Sequence, residues 1–470
     1  MACVALWLGL LSPPVASAQD AMHTGVQCGP GSACPVLTLD VFLDQVLRSS
    51  PAALALRLES DRALAALLGA RGSFDPTLVS GYEYKTQDNK DKLNVLRSGV
   101  ALPLDLPMSP SLLLDYRRGV GSSIDPSVLT TEAGETRFGV AFSPLQGFTT
   151  NTRRAALSRA RLEPRRAEVL QTRGRHLILL EATQAFWTWV EAWQILQVNR
   201  ELRALATQRR DLVVRRARAG ETAAVDSVEA ELAVVSRDGK VAAARRKAEE
   251  AGVKLAVFLW NEDGTPEVLR YAPPALPVLP PPPDSSQAVM TALTQRPELE
   301  EVALEQQEVQ VDQRLARERL RPDLKLEAQV VSYDDSPLGV TDVKVGFKID
   351  QPLFFRGGRS SVERAEIKGQ ALRFKQDLTR RKVRAEVEAV LVALRQSRRR
   401  VVAAERRVEL AQRLQQAEQR RFELGESTLF LLNQREQDFA EAREERVSAQ
   451  VEVLQAEATF RWATGTIGLR

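Results

Sequence analysis

The 470-residue chain contains two histidines, His23 and His176, and three cysteines, Cys3, Cys28 and Cys34. Histidine is the usual base of nucleophilic triads and a usual nitrogen ligand of zinc, so these positions assemble neither a His-centred triad nor a His-rich metal cluster. Carboxylates are plentiful, but the 61 Asp and Glu are interspersed with 65 Lys and Arg, which reads as solvated helix faces. Gly357-Gly358-Arg359-Ser360 opens a helical pattern, where a phosphate can bind. It lacks the Lys-[Ser/Thr] and spacing of a nucleotide loop and is read as a strand-to-helix turn. Cys28 and Cys34 enclose Gly-Pro-Gly-Ser-Ala, the pattern of a small disulfide loop in an oxidising compartment. With only His23 nearby they make a poor metal site, and without an apolar run before them a poor lipid anchor. No catalytic, cofactor-binding or metal residue is expected, and the chain is not read as an enzyme.

The chain repeats one local pattern instead. Arg216-Ala-Arg-Ala-Gly220-Glu221-Thr222 returns as Arg421-Phe-Glu-Leu-Gly425-Glu426-Ser427, 205 residues later by the glycines. Each glycine turns a long incoming helical arm, 151–219 or 360–424, into a shorter returning one, 223–260 or 428–463. The first arm is free of proline except Pro164. Read as one helix it spans roughly 100 Å at 1.5 Å per residue. Its cluster Phe186, Trp187, Trp189 and Trp193 is expected to pack between helices. On the second arm Val383, Val387, Val390 and Leu394, then Val401, Ala404, Val408 and Ala411, step by 3 and 4 as in a coiled coil. Val447, Val451, Leu454 and Ala458 continue the seam.

Before each arm the apolar period drops to two, which means strands with one apolar face. In the first half Leu78, Ser80, Tyr82 and Tyr84 alternate with Gly81, Glu83 and Lys85. Segments around Leu96–Leu104, Leu112–Tyr116 and Phe138–Phe142 behave alike. In the second half Leu324, Leu326, Ala328 and Val330 alternate with Asp323, Lys325, Glu327 and Gln329. Val343, Val345, Phe347 and Ile349 alternate with Asp342, Lys344, Lys348 and Asp350. Helical stretches at 39–68 and 285–320 precede the strands, each with an internal proline. Pro51 and Pro297 are 246 residues apart, as are Pro76 and Pro322, whereas Pro144 and Pro352 are 208 apart. One plan therefore runs twice, and the first copy carries a surplus hairpin, Leu96–Tyr116.

The expected organisation is a signal peptide at 1–18, cut before Gln19, and a flexible leader at 19–37. A first repeat follows at 38–263, then a proline-rich connector at 264–284 and a second repeat at 285–466. The fold class is α+β, with long coiled-coil hairpins joined to strands whose apolar faces need lipid or a core the chain does not supply. Outward apolar and inward charged positions are the signature of a transmembrane β-barrel, and four to six strands per chain are too few to close a wide one alone. The net charge of +4 argues against a nucleic-acid partner.

This doubled plan resembles the TolC-like outer-membrane efflux protein family. The local matches are Arg296-Pro297-Glu298-Leu299, Arg321-Pro322-Asp323-Leu324, Gln351-Pro352-Leu353, Arg421 to Ser427, and the stretch 456–465. The resemblance implies a homotrimer whose long helical barrel in the periplasm joins a transmembrane β-barrel in outer-membrane lipid. It implies a passive duct of a tripartite efflux or type I secretion system, docking a periplasmic adaptor and an inner-membrane pump. Gly220, Glu221, Thr222, Gly425, Glu426 and Ser427 then form the docking tips, and Glu221, Thr222, Glu426 and Ser427 are expected to start and cap the returning helices. The family places acids shortly after the second turn. Here Thr428–Gln434 has none before Glu436. The expected gate is therefore either apolar and amide-lined, at Leu431 and Gln434, or takes Asp226 and Glu229 from the first hairpin. The leucines serve equally as coiled-coil core. A periplasmic coiled-coil scaffold or adaptor without a pore is the alternative, disfavoured by the presence of two hairpins with strands before each.

Overall fold

The computed structural model describes residues 35–87, 90–121, 129–221, 223–333 and 342–468. The signal peptide, most of the leader, the Cys28–Cys34 loop and Thr222 lie outside the described residues. The end of the leader is tied down, because Leu37 donates to the Ala272 carbonyl at 3.0 Å and Ala272 to the Pro35 carbonyl at 3.0 Å.

The element order begins with α1 (Leu39–Ser49) and α2 (Pro51–Arg71), then β1 (Thr77–Gln87), β2 (Lys90–Pro103), β3 (Ser111–Val120) and β4 (Glu135–Phe142). The first helical hairpin comprises α3 (Thr152–Ala160), α4 (Glu163–Arg218) and α5 (Ala224–Ala256). The order then returns with α6 (Ala288–Gln295), α7 (Pro297–Glu318), β5 (Asp323–Ser332), β6 (Asp342–Asp350), α8 (Arg356–Glu423) and α9 (Leu429–Ala463).

Proline sets the helix breaks. Pro51 and Pro297 each open a second helix after one extended residue, Ser50 (ψ 136°) and Arg296 (ψ 121°). The residue before proline is pushed out of the helical region, and proline suits a first helical turn. The first long arm is not one helix as expected. Pro164 lacks the N–H that would close on the carbonyl of Ala160, so α3 stops at Ala160 and α4 starts at Glu163. The second arm has no proline, and α8 runs unbroken for 68 residues. Gly357 and Gly358 lie in its first turn rather than in a loop. A Cβ on Gly358 would stand 3.0 Å from the Arg319 carbonyl oxygen, so the start of α8 passes too close to the end of α7 for a side chain.

The chain packs as two compact units that cut across the repeats. One takes in the described residues up to Pro51, Ala182–Leu279 and Arg398–Gln455. The other takes in Ala52–Glu181, Pro280–Ser397 and the described residues from Ala456 onward.

The first unit is helical, and its core holds the aromatic cluster. Phe186 is fully buried, with its centroid 5.5 Å from that of Phe42, and Trp187 and Trp189 pack edge-on to it at 5.1 and 6.0 Å. Trp193 is half-buried, with the Arg200 guanidinium 5.8 Å from its ring centroid.

The second unit carries a single six-stranded antiparallel sheet in the order β1-β2-β3-β4-β5-β6. The hairpin the first repeat carries in excess thus lies within the sheet, between β1 and β4. The coiled-coil seam is buried at Val383, Val387, Leu394, Val401 and Ala404 on α8 and at Val447, Val451, Leu454 and Ala458 on α9.

The Arg296 motif is the best-built node of the second unit. The side chain of Arg296 is 4% exposed and holds Glu298 at 2.9 Å and Glu386 at 3.0 Å. It also reaches the carbonyls of Trp462 and Ala463 at 3.5 and 3.4 Å and lies 4.3 Å from the Trp462 ring centroid. Beside it Ala288, Ala292, Val383, Val387, Phe460 and Ala463 form one core cluster. Gly465, at φ +75°, turns the chain where a Cβ would meet the Gln295 carbonyl at 2.9 Å. One guanidinium thus joins α6–α7, α8 and the end of α9, which accounts for both the 296–299 and the 456–465 motifs.

Candidate functional site

Two surfaces have an arrangement that elementary packing does not explain: the paired helix turns of the first unit and the sheet of the second.

The turns end α4 and α8 in the same way. Gly220 N–H donates to the Ala217 carbonyl at 3.1 Å and Glu221 N–H to the Arg216 carbonyl at 2.9 Å. Gly425 donates to Phe422 at 3.1 Å and Glu426 to Arg421 at 2.9 Å. This pair of bonds is a Schellman ending, which needs a left-handed residue, and Gly220 and Gly425 have φ +78° and +77°. Both turns are exposed.

The expected caps are corrected here. The first residue before α5 is Ala223, with no side-chain cap. Before α9 the cap is Thr428, whose Oγ1 accepts from Leu431 N–H at 3.3 Å. Ser427 instead donates to the buried Glu418 on α8. Glu221 and Glu426 contribute backbone N–H groups to the turns, and neither starts a helix. Beneath the turns Val213, Ala230 and Leu429 are buried together with Phe422 against them, so residues of α4, α5, α8 and α9 share one small core.

Two to three turns further along the returning helices lies a buried ionic group. Arg209 on α4 pairs with Glu436 on α9, and their side chains are 11% and 3% exposed. Arg237 on α5, also buried, donates to the Asn433 carbonyl at 3.3 Å and to Gln437 Oε1 at 3.2 Å. Burial draws the Arg237 guanidinium below its usual value, while Glu436 and Glu441 favour its charge. Further along, Asn199 donates to Glu444 at 2.7 Å and Arg443 to Glu201 at 2.7 Å. Glu436 thus pairs with Arg209 of α4 and favours the charge of Arg237 on α5, two cations of the other hairpin.

The four residues expected to gate are not among the partners of this group. Asp226 lies in the first turn of α5 and Leu431 is half-buried on α9. Gln434 is exposed and donates to Asp438 at 3.1 Å. Among the described residues no hydrogen bond joins Asp226 or Glu229 to Leu431 or Gln434. Glu229 has a shielded Oε1 without a partner, and burial, then Asp226, raises its pKa. The folded state therefore prefers the protonated acid, and stability falls as pH rises through that raised value. Glu229→Gln is expected to unfold at a higher temperature than the parent at pH 7, with the gap closing below the ordinary carboxylate range. Equal melting temperatures at both pH values would refute the assignment. The Arg209–Glu436–Arg237 group escaped sequence reasoning because its members come from three helices. The hint available was an acid at an otherwise buried α9 position.

The sheet is inverted relative to a water-soluble one. Register places Leu78, Val100, Leu114, Phe138, Val330 and Val343 in one row across all six strands. This face is the exposed one: Phe138 is 53% exposed, Val345 75% and Phe347 79%. The opposite face carries Glu83, Arg97, Asp115, Arg117, Arg137 and Glu327, with both signs mixed. Its middle is buried, with Arg137 9% and Gln329 4% exposed. Among the described residues no helix is long and apolar enough to cross a membrane.

A family model for the outer membrane efflux protein matches residues 288–466. No curated protein sequence matches the chain. Among solved structures, the Campylobacter jejuni CmeC outer membrane channel is similar over 91% of this chain and 85% of its own, at 15% identity and TM-score 0.67. The Vibrio cholerae outer membrane protein VceC is similar over 91% and 96%, at 14% identity and TM-score 0.67. The open state of the Neisseria gonorrhoeae MtrE outer membrane channel covers 91% and 88%, at 15% identity and TM-score 0.65. At these identities the structures show a shared fold.

Proposed function

We propose that this chain, whose residues 288–466 belong to the outer membrane efflux protein family, is an outer-membrane channel. It serves as the passive duct of a tripartite efflux or type I secretion system. The observation that carries this reading is the inverted sheet. Exposed Phe138, Val345 and Phe347 face lipid, and the charged face lines water. Lipid leaves no solvent for a sheet edge, so copies of the chain close the barrel together, and the family resemblance supports three. The helical hairpins then stand in the periplasm with Gly220 and Gly425 at their tips. There the exposed turns and the exposed Val225, Val228, Leu424 and Phe430 offer an apolar rim to a periplasmic adaptor, which links the duct to an inner-membrane pump. The chain itself supplies no energy. Adaptor docking separates the hairpins, and the Arg209–Glu436–Arg237 group holds them together until then. A periplasmic scaffold would leave the sheet face without a partner.

Reconstitution of the purified, signal-processed protein in a planar bilayer tests the reading. Discrete conductance steps are expected. A soluble monomer that fractionates without detergent and gives no conductance would refute it. The lipid face has its own test. Val345→Arg is expected to cost about 2–4 kcal/mol of barrel stability, read as loss of the folded, heat-modifiable form. Lys344→Gln, on the adjacent inward position, should leave that form intact.

A further inference from the structure

The surplus hairpin makes the sheet wider, and its position has a consequence for the pore. Antiparallel strands in lipid must close on themselves, because an unpaired edge leaves backbone N–H and C=O groups unsatisfied. Among the described residues the two strands without an outer neighbour are β1 and β6. Both are exposed on nearly every residue whose burial is described, on both faces, while the charged face is buried at Glu135 and Arg137 of β4 and at Gln329 of β5. Strand direction alternates through the sheet, so β1 and β6 run oppositely. The β6 of a second copy therefore continues the antiparallel order beside β1. The faces match as well, since Tyr82 and Tyr84 of β1 and Val345 and Phe347 of β6 lie on the apolar side. The occupant that satisfies edge, direction and face is a second copy of this chain.

β2 and β3 are part of that wall. Val100 and Leu114 stand in the same apolar row as Phe138. The strands have 14 and 10 residues, enough to cross the apolar layer at the usual tilt. The turn between them, 104–110, lies at the helix-side end of the sheet and is locked there. Ser143 donates to the Met108 carbonyl at 2.7 Å and Met108 to the Phe148 carbonyl at 3.2 Å. Arg154 and Arg161 both hold Asp105 at 3.1 Å. Met108 and Ser109 sit at φ 65° and 52°, a left-handed conformation that non-glycine residues hold only when surroundings fix it.

We propose that three copies of this chain close an eighteen-stranded barrel, six strands from each, with the β2–β3 hairpin as lipid-facing wall. This rests on the channel reading above. At the usual strand spacing and tilt, eighteen strands give a backbone diameter of about 36 Å, against about 24 Å for the twelve that would remain without the hairpin. The charges on the inner face are of both signs, so the added width admits bulkier cargo without selecting for its charge.

The test uses the full chain in a cysteine-free background, reconstituted in vesicles, with single cysteines at Leu114 and Phe138 labelled by an environment-sensitive fluorophore. Brominated lipid is expected to quench both labels to a similar extent, and electron cryomicroscopy of the assembly should resolve eighteen strands. Quenching at Phe138→Cys but not at Leu114→Cys, with twelve strands around the barrel, overturns the proposal and leaves the channel reading standing. Quenching at neither position overturns both.

Discussion

Arg296→Ala lowers the stability of the folded chain by about 3–5 kcal/mol, the cost of removing one partner from a buried ionic group. The side chain is 4% exposed and is shared between Glu298 and Glu386, with two carbonyls at the end of α9 and the Trp462 ring. Alanine leaves the largely buried Glu298 without its cation and opens the space above Trp462. Lysine keeps the charge but loses the planar fork that serves two carboxylates at once, so Arg296→Lys falls between the two. Thermal or denaturant unfolding of the detergent-solubilised assembly measures the effect. A loss under about 1 kcal/mol, the worth of an exposed pair, would show that the node is dispensable.

Glu436→Ala has a comparable cost, about 3–5 kcal/mol, placed near the turns. It leaves Arg209 without its paired carboxylate and Arg237 without the carboxylate that most favours its charge. These arginines belong to one hairpin and Glu436 to the other, so the change removes one of the buried contacts between hairpins. In a planar bilayer the variant is expected to show larger or longer openings than the parent. Glu436→Ala combined with Arg209→Met removes one of the stranded cations and should recover part of the stability, because a well-packed apolar side chain can replace a buried ion pair at little cost. Unchanged conductance in the single variant would remove this group from the gate.

The periodicities needed no tertiary contacts to be read. Alternation at 77–85 and 323–330 reports a one-sided strand, and the 3-and-4 steps from Val383 to Ala411 report a helical seam, because side-chain direction repeats every 2.0 or 3.6 residues whatever the neighbours are. The glycine turns were legible for the same local reason, since Gly220 and Gly425 occupy a backbone conformation that side chains resist. Pro51 and Pro297 lie inside stretches read as helical, 39–68 and 285–320, and each opens a new helix there. At Pro164 the break in the first arm was present in the sequence, but that arm was read as one helix, and the missing N–H decided otherwise.

What the sequence left open was pairing. Spacing located a surplus hairpin at Leu96–Tyr116 but did not say whether it lay in the wall or outside it; strand register, a non-local hydrogen-bonding choice, placed it between β1 and β4. The group at Glu436 escaped for a related reason. Asp226, Glu229, Leu431 and Gln434 were selected by their distance from the turns, whereas burial of Glu436 depends on which faces of α4, α5 and α9 meet. The sequence by itself determined the elements, the turns and the doubled plan, which are set by short-range sterics and periodicity. The six-stranded order and the meeting of Arg209, Arg237 and Glu436 came only with the tertiary structure, because each depends on residues far apart in the chain.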